Sequence, residues 1–462
     1  MSTAVFLGFI VLSLLLALRS RKGVGPQSTH DFFVASRQFG AFLVFFLAAG
    51  EIYSVATMVG FAGGIYAKGP TYGIWFLGYI LLAYPLGYFL APKIWEAGKR
   101  FNAITLADLF KGHFDSRAVE LVVALSSILF LLPMAQLQFT GLIAAFRGLG
   151  WSFQPLYLVL IAAALAFTYI AISGVRSSAY VAVLKDVLMV VAIVVTGLAV
   201  ASEVGVEKVF HVASEHVSNR MNDEQLRFSM STILFQSLGF YMMPISVQFI
   251  YTAKSADTIR RTQVAMPLYM LMYPFLVLAS YYALTRSDAL ASANEAFFVA
   301  AIHLLPSWLL GLVAAAAALS GLLVLTGMCL AIGPIATRNL LPHLPESRQK
   351  AGAKAVIIVY LIVSILMTMM APNLMLTLIN TTYYGVTQFL PGMIVILFSL
   401  RVRPGAVALG ILTGQLMAIA LYLEKVDLGG INLGLPCLAA NIIVMVALNL
   451  LRTPRGLQAT AQ

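Results

Sequence analysis

The stretch Ala48-Ala49-Gly50-Glu51-Ile52-Tyr53-Ser54-Val55-Ala56-Thr57-Met58-Val59-Gly60-Phe61-Ala62-Gly63-Gly64 sets a carboxylate, several hydroxyls and four glycines inside a long apolar run. A carboxylate near a bilayer centre costs roughly 2.5–3.5 kcal/mol even on the lenient insertion scale, so it marks a functional site by default. Glycine beside Glu51 weakens the helix at mid-depth, although small residues also let helices pack closely in membranes. A second acid, Asp186, lies inside the sixth apolar run. The other Asp and Glu fall in loops or at the ends of apolar segments. Two acids at depth suggest a path for an ion or proton.

Composition sets the class. The 462 residues are 61% apolar and 10% charged, with a mean hydropathy of +0.92. Soluble domains are about 45–50% apolar and about 25% charged. The chain therefore reads as an all-α polytopic membrane protein, because lipid offers backbone groups no partners. Cys329 and Cys437 lie in apolar segments and imply no disulfide.

About thirteen spans are expected, numbered here as segments 1–13. They cover roughly residues 3–19, 41–62, 72–92, 118–145, 155–173, 179–200, 229–250, 265–285, 307–336, 354–371, 374–400, 405–423 and 435–451. Segment 1 lacks a basic leader and an Ala-x-Ala site, so it reads as a retained span rather than a cleaved signal peptide. With the N-terminus outside, 22 of the 29 Lys and Arg fall on the cytoplasmic side and 7 on the other. Arg21, Lys22, Lys185, Arg452 and Arg455 are counted among the 22. This bias predicts N-terminus out and C-terminus in. It also accounts for the net charge of +11 through anionic headgroups rather than nucleic acid. Residues 201–228 form a polar, partly helical outside segment, and 452–462 a short cytoplasmic tail.

Two further segments break their own helices. Segment 7 holds Phe235-Gln236-Ser237-Leu238-Gly239-Phe240-Tyr241-Met242-Met243-Pro244, and segment 11 holds Tyr383-Tyr384-Gly385-Val386-Thr387-Gln388-Phe389-Leu390-Pro391-Gly392. Segments 2 and 7 lie five apart, which points to an inverted-repeat transporter with a midplane site. One repeat would be 41–200 and the other 229–400, with 3–19 before them and 405–451 after. Gln136, Gln138 and Gln236 need partners at depth, from other helices or from a solute.

Over nearly its whole length the chain resembles the sodium/solute symporter family. The resemblance rests on Asp-Phe-Phe-Val-Ala-Ser-Arg at 31–37, Gly-x-x-x-Gly-Gly-Ile-Tyr at 60–66, Ser-Gly-Val-Arg at 173–176 and Thr-Arg-Asn at 337–339. Within the family it is most similar to the bacterial monocarboxylate permeases. Pro-Ser-Trp at 306–308, Lys185-Asp186 and Glu51 carry that likeness, with Glu51 where the family usually has Asp. The resemblance implies the leucine-transporter fold, a five-plus-five inverted repeat with one preceding and two following helices. It implies cation-driven uptake of a small organic acid; proline and pantothenate carriers share the family. It places the sodium site at the carbonyls of Ala49 and Ile52 and at Ser-Thr hydroxyls of segment 9. Those hydroxyl positions are Cys329 and Leu330 here. Thiols suit hard cations poorly, so the sodium site reads as degraded. Thr326 could supply an oxygen, and Ser320 only after a nine-residue shift.

The expected function is a cation-coupled symporter working by alternating access, without a cofactor, driven by sodium or protons, and possibly active as a monomer in a bacterial inner membrane. Burial disfavours the charged form of a carboxyl, which suits Glu51 to carry a proton and Asp186 to be an exit station. Lys185 could hold Asp186 ionised, or the pair could sit at the interface with the lysine snorkelling. No basic residue lies at mid-depth in segments 2, 4, 7 or 11. Ser54, Thr57, Tyr241 and Tyr384, with Gln138, Gln236 and Gln388, would therefore bind the solute, which suits a monocarboxylate or a zwitterion. A sensor would usually carry a cytoplasmic signalling extension, whereas this sequence ends almost at its last apolar segment; no His cluster or nucleophile motif supports an enzyme, and a passive channel would not accumulate solute.

Overall fold

Segment 9 is the axis of the molecule. Its helix, Ser307–Leu340, is 83% buried over its apolar window, because small residues, Ala314–Ala318 above all, let segments 1, 4 and 6 close around it. The computed structural model describes residues 1–20, 28–218, 220–286, 290–370 and 375–451. Arg21, Lys22, Arg452, Arg455 and the expected tail 452–462 lie outside the described residues. Among the described residues the chain is all helical, apart from one isolated bridge between Phe39 and Ala253.

Every expected segment coincides with a helix. Among the described residues ten helices are long and apolar enough to cross a membrane, or eleven if the pair Asp223–Met242 and Pro244–Thr252, bent by 50°, is one span. Segment 11 is two pieces, Met375–Val386 and Leu390–Leu397, and segment 13, Gly434–Leu450, is shorter than the rest. Residues 201–228 contain the helix Val206–His216. Large apolar side chains such as Phe89, Leu160, Val359 and Leu416 stay exposed on the flanks, as a lipid-facing belt requires.

Loops assigned to one side of the membrane meet one another. Asp31 pairs with Arg176 at 2.6 Å. Arg37 donates to the carbonyls of Gly98, Ala103 and Tyr251 at 2.9, 2.8 and 3.5 Å. The helix Leu106–Phe114, started by a Thr105–Asp108 capping box, receives Arg338 and Asn339 on Asp108. Asn339 also donates to the buried Glu120, which Arg117 and Lys111 neutralise at 2.7 and 3.2 Å. On the other side Arg147 pairs with Glu295, and Arg227 donates to the Gly429 carbonyl. The two groups of loops do not mix in these contacts.

Lys185 departs from its assigned place. It does not snorkel: its ammonium is fully buried, about 15 Å along the segment 6 helix Val175–Glu203. The side chain turns inward because the break in segment 2 offers it oxygens.

Removing the Glu120 carboxylate takes one of two acceptors from the buried Asn339 amide and the counter-charge from Arg117 and Lys111. Glu120→Ala is expected to cost about 1–3 kcal/mol, read as a lowered thermal midpoint in detergent. Asp257→Ala, whose partner Arg260 is exposed, should leave the midpoint within about 0.5 kcal/mol of wild type.

Candidate functional site

The three interrupted helices converge. In segment 2 the first helix, Ala41–Ile52, stops at Tyr53, whose ψ of 76° leaves the helical region, and a π-helical turn, Ala56–Phe61, follows. In segment 7 Met243 is extended, and Pro244 starts a new helix where its missing N–H costs nothing. The Ser246 hydroxyl of that new helix donates to the Glu51 carboxylate. At the other end of the break, a methyl group on Gly239 would fall inside the Thr387 side chain, so only glycine lets segments 7 and 11 touch there.

Glu51 divides two small cavities. The central one offers about 50 Å³ to the centres of water molecules and is lined from six segments: Ser54, Tyr79, Gln138, Met243, Met328 and Tyr383 each represent one. The second, about 30 Å³, lies beyond Glu51 and Ser246 toward Thr262 and Gln263. Above the central cavity a wider vestibule of about 470 Å³ opens between Lys68, Trp75, Glu224 and Asn380. Trp75 lines the vestibule and Tyr79, one turn deeper and stacked on it at 6.2 Å, lines the central cavity. Trp75, Tyr79 and Glu51 thus stand in that order between the vestibule and the second cavity.

The expected solute residues divide between this route and ordinary packing. Ser54 lines the central cavity and Gln138 does so with both amide atoms buried and unpartnered. Tyr241 lines the second cavity and donates to Gln263 at 2.6 Å. Thr57 is buried one turn beyond and turns its hydroxyl toward the Ile52 carbonyl at 3.4 Å. Gln236 donates to Asn380 at the floor of the vestibule. Gln388 is locked to Asn441 of segment 13 and Tyr384 faces Phe235 and Tyr422, so neither reaches the central cavity. The structure brings in Tyr383, Tyr79 and Ser246 instead. Adjacent helical residues point about 100° apart. Ile379, four residues before Tyr383 and lining the same cavity, is the sequence signal that distinguishes the two tyrosines.

The expected ion residues form a second group, one layer behind Glu51. Lys185 Nζ donates to the Tyr53 carbonyl at 2.6 Å and the Gly50 carbonyl at 3.3 Å, and contacts the Asp186 carboxylate. Asp186 is buried beside Tyr269, whose ring stacks on Tyr53 at 4.6 Å. The Ala49 carbonyl accepts the Tyr53 N–H at 2.8 Å, and the Ile52 carbonyl faces the Thr57 hydroxyl. On segment 9 Thr326 spends its hydroxyl on Leu322 at 2.7 Å, and Cys329 is buried. Among the described residues no group of His, Cys, Asp and Glu could hold a metal ion.

Broken helices meeting at a buried acid, with cavities on either side of it, define a cation-coupled secondary transporter rather than an enzyme. The chain belongs to the sodium:solute symporter family, whose profile matches residues 32–414. It is 27% identical to the uncharacterized symporter YhjB of Bacillus subtilis, covering 97% of this chain and 96% of that protein. It is equally 27% identical, over the same shares, to a monocarboxylate transport permease protein of Rhizobium johnstonii. A Na+-coupled sialic acid symporter solved in a substrate-bound outward-open state superposes with a TM-score of 0.81 at 17% identity, over 99% of both chains. Mhp1, of the nucleobase-cation-symport-1 family, gives 0.58 at 16%, over 92% of this chain and 95% of its own. These likenesses give the leucine-transporter fold.

If Tyr383 lines the solute cavity and Tyr384 packs between helices, their hydroxyls differ in worth. Tyr383→Phe should weaken apparent solute affinity by about 1–1.5 kcal/mol, roughly five- to tenfold in KM. Tyr384→Phe should leave KM within about twofold, and uptake assays on both variants check the contrast.

Proposed function

We propose that this protein imports a short monocarboxylate together with a cation by alternating access, and that Glu51 is the coupling carboxyl. The observation that carries the reading is the position of Glu51: it joins the two broken helices through Ser246 and lines the cavities on both sides. A group facing two compartments in turn can load on one side and unload on the other.

Charge arithmetic favours a proton carried with an anion. The described lining of the central cavity includes no Lys or Arg. A solute carboxylate about 4 Å from an ionised Glu51 would be repelled by about 4 kcal/mol at an effective dielectric of 20. Protonated Glu51 removes that repulsion and can donate a hydrogen bond to the anion. Each ligand then tightens the other by the same factor, which is the linkage that symport needs. Gln138, with two donors and a carbonyl free, supplies the neutral contact. The small cavity suits two- to three-carbon acids such as acetate, propionate, lactate or pyruvate. The name of the Rhizobium relative supports the same class. Sodium as coupling ion is supported by the family and by the sialic acid symporter.

The same reading places the protein in a bacterial cytoplasmic membrane, with the basic loops around Arg37, Asp108 and Arg338 inside. The division into repeats 41–200 and 229–400 belongs to it too, since their second and seventh segments break at matching places.

Uptake of labelled short carboxylates, proline and pantothenate into proteoliposomes, with sodium and pH gradients imposed separately, tests the proposal. Wild type should accumulate a monocarboxylate. Glu51→Gln should lose gradient-driven accumulation while retaining solute exchange, and accumulation left intact in that variant refutes the role of Glu51. Solute binding without any uptake would instead indicate a sensor.

A further inference from the structure

We infer that the ε-ammonium of Lys185 permanently fills the cation position at the break of segment 2, so that solute binding requires no sodium there. The inference deepens the transporter reading above and rests on it. Its basis is the coordination of one nitrogen. Lys185 Nζ has three N–H donors, and three oxygens meet it: Tyr53 O at 2.6 Å, Gly50 O at 3.3 Å and Asp186 Oδ1. The two carbonyls are those a broken helix releases, each one residue on from the Ala49 and Ile52 carbonyls that face Tyr53 N–H and the Thr57 hydroxyl, and the lysine comes from segment 6, across the packing interface. Nothing of the side chain is exposed. A free cation arriving at these carbonyls would find its place taken by a covalently held one.

Segment 9 agrees with this from the opposite wall. A hard cation wants several oxygens. The side chains closest to Gly50 from the neighbouring helices are Leu323 of segment 9 and Ala182 of segment 6, with the ammonium behind them. Ser320 and Thr326 turn their hydroxyls into their own helix, to Ala316 at 2.6 Å and Leu322 at 2.7 Å. Cys329 presents a thiol, a soft group. At Gly50 segment 9 presents the hydrocarbon of Leu323 where an ion would need oxygen, and the oxygens of the break are used by the ammonium. Asp186 neutralises the tethered charge, as a cation sealed at mid-depth demands. A tethered cation also moves no net charge across the membrane, so accumulation is driven by the proton on Glu51 without sodium.

The test compares sodium with choline at constant ionic strength, in two readouts: the thermal midpoint of the purified full chain and monocarboxylate uptake by proteoliposomes under a pH gradient. Wild type should show the same midpoint and the same uptake in both salts. Lys185→Ala empties the position while leaving the carbonyls and Asp186. In choline it should have a lower midpoint and at least tenfold slower uptake, and sodium should raise its midpoint where choline does not. A wild-type midpoint or uptake that depends on sodium overturns the inference, whether or not the variant folds. A folded Lys185→Ala that is indifferent to sodium also overturns it, since the lysine would then be a structural strut. Absence of monocarboxylate uptake in both salts counts against the substrate reading alone, and the midpoints still decide the ion question.

Discussion

A backbone carbonyl that has lost its helical partner cannot be left bare inside a bilayer, where each unsatisfied polar group costs several kcal/mol. The break after Ile52 creates such carbonyls at mid-depth. Much of the interior follows from how they are satisfied. The lysine that caps two of them needs a counter-charge, which Asp186 provides one residue along the same helix. The lysine needs room beside Gly50, where any larger residue would press on Leu323. Because the carbonyls are served from behind by segment 6, the other face of the break is left to the central cavity, where Glu51 and Ser54 stand.

The second consequence is that the interruptions support one another. Segment 2 touches segment 7 through Glu51 and Ser246, and segment 7 touches segment 11 through Gly239 and Thr387. Around this irregular centre, regular helices supply the missing contacts. Gln388 leans on Asn441, Gln415 joins Ser126 to the Gly385 carbonyl, and Gln248 bridges the carbonyls of Phe33 and Leu330. Segments 12 and 13 thus take part in the core; their amides close polar groups that segments 4 and 11 leave open. Non-helical backbone is tolerated at this depth because protein, not lipid, surrounds it.

Much of this was legible in the residues. Long apolar runs located the membrane-crossing helices, ten or eleven of them among the described residues where about thirteen spans were expected, since lipid admits little else. The glycines, prolines and polar groups of segments 2, 7 and 11 located the breaks, and loop charges sorted the connections into two faces. The motifs shared with the family turn out to be mutual contacts: Asp31 binds Arg176, and the Thr-Arg-Asn run docks on Asp108 and Glu120. What a linear reading could not resolve was rotation. Tyr383 and Tyr384 are equivalent in composition yet face different neighbours. Gln236 and Gln388 carry the same amide as Gln138 but spend it on other helices. Lys185 looked like an inner-edge charge because its acceptors lie more than 130 residues away in sequence, in a break whose shape depends on tertiary packing.

Arg37 holds together the ends of three chain segments by their carbonyls, Gly98, Ala103 and Tyr251, with its guanidinium also over the Tyr251 ring at 4.9 Å. These acceptors sit at the basic face, at the edge of the apolar zone. When segments 3 and 7 separate there, the released carbonyls and the guanidinium pass into water, which can hydrogen-bond all of them. The same contact placed fifteen ångströms deeper would weld the two halves shut. Its place therefore makes it a seam that solvent can unpick, so this basic face can part without exposing an unsatisfied group to hydrocarbon.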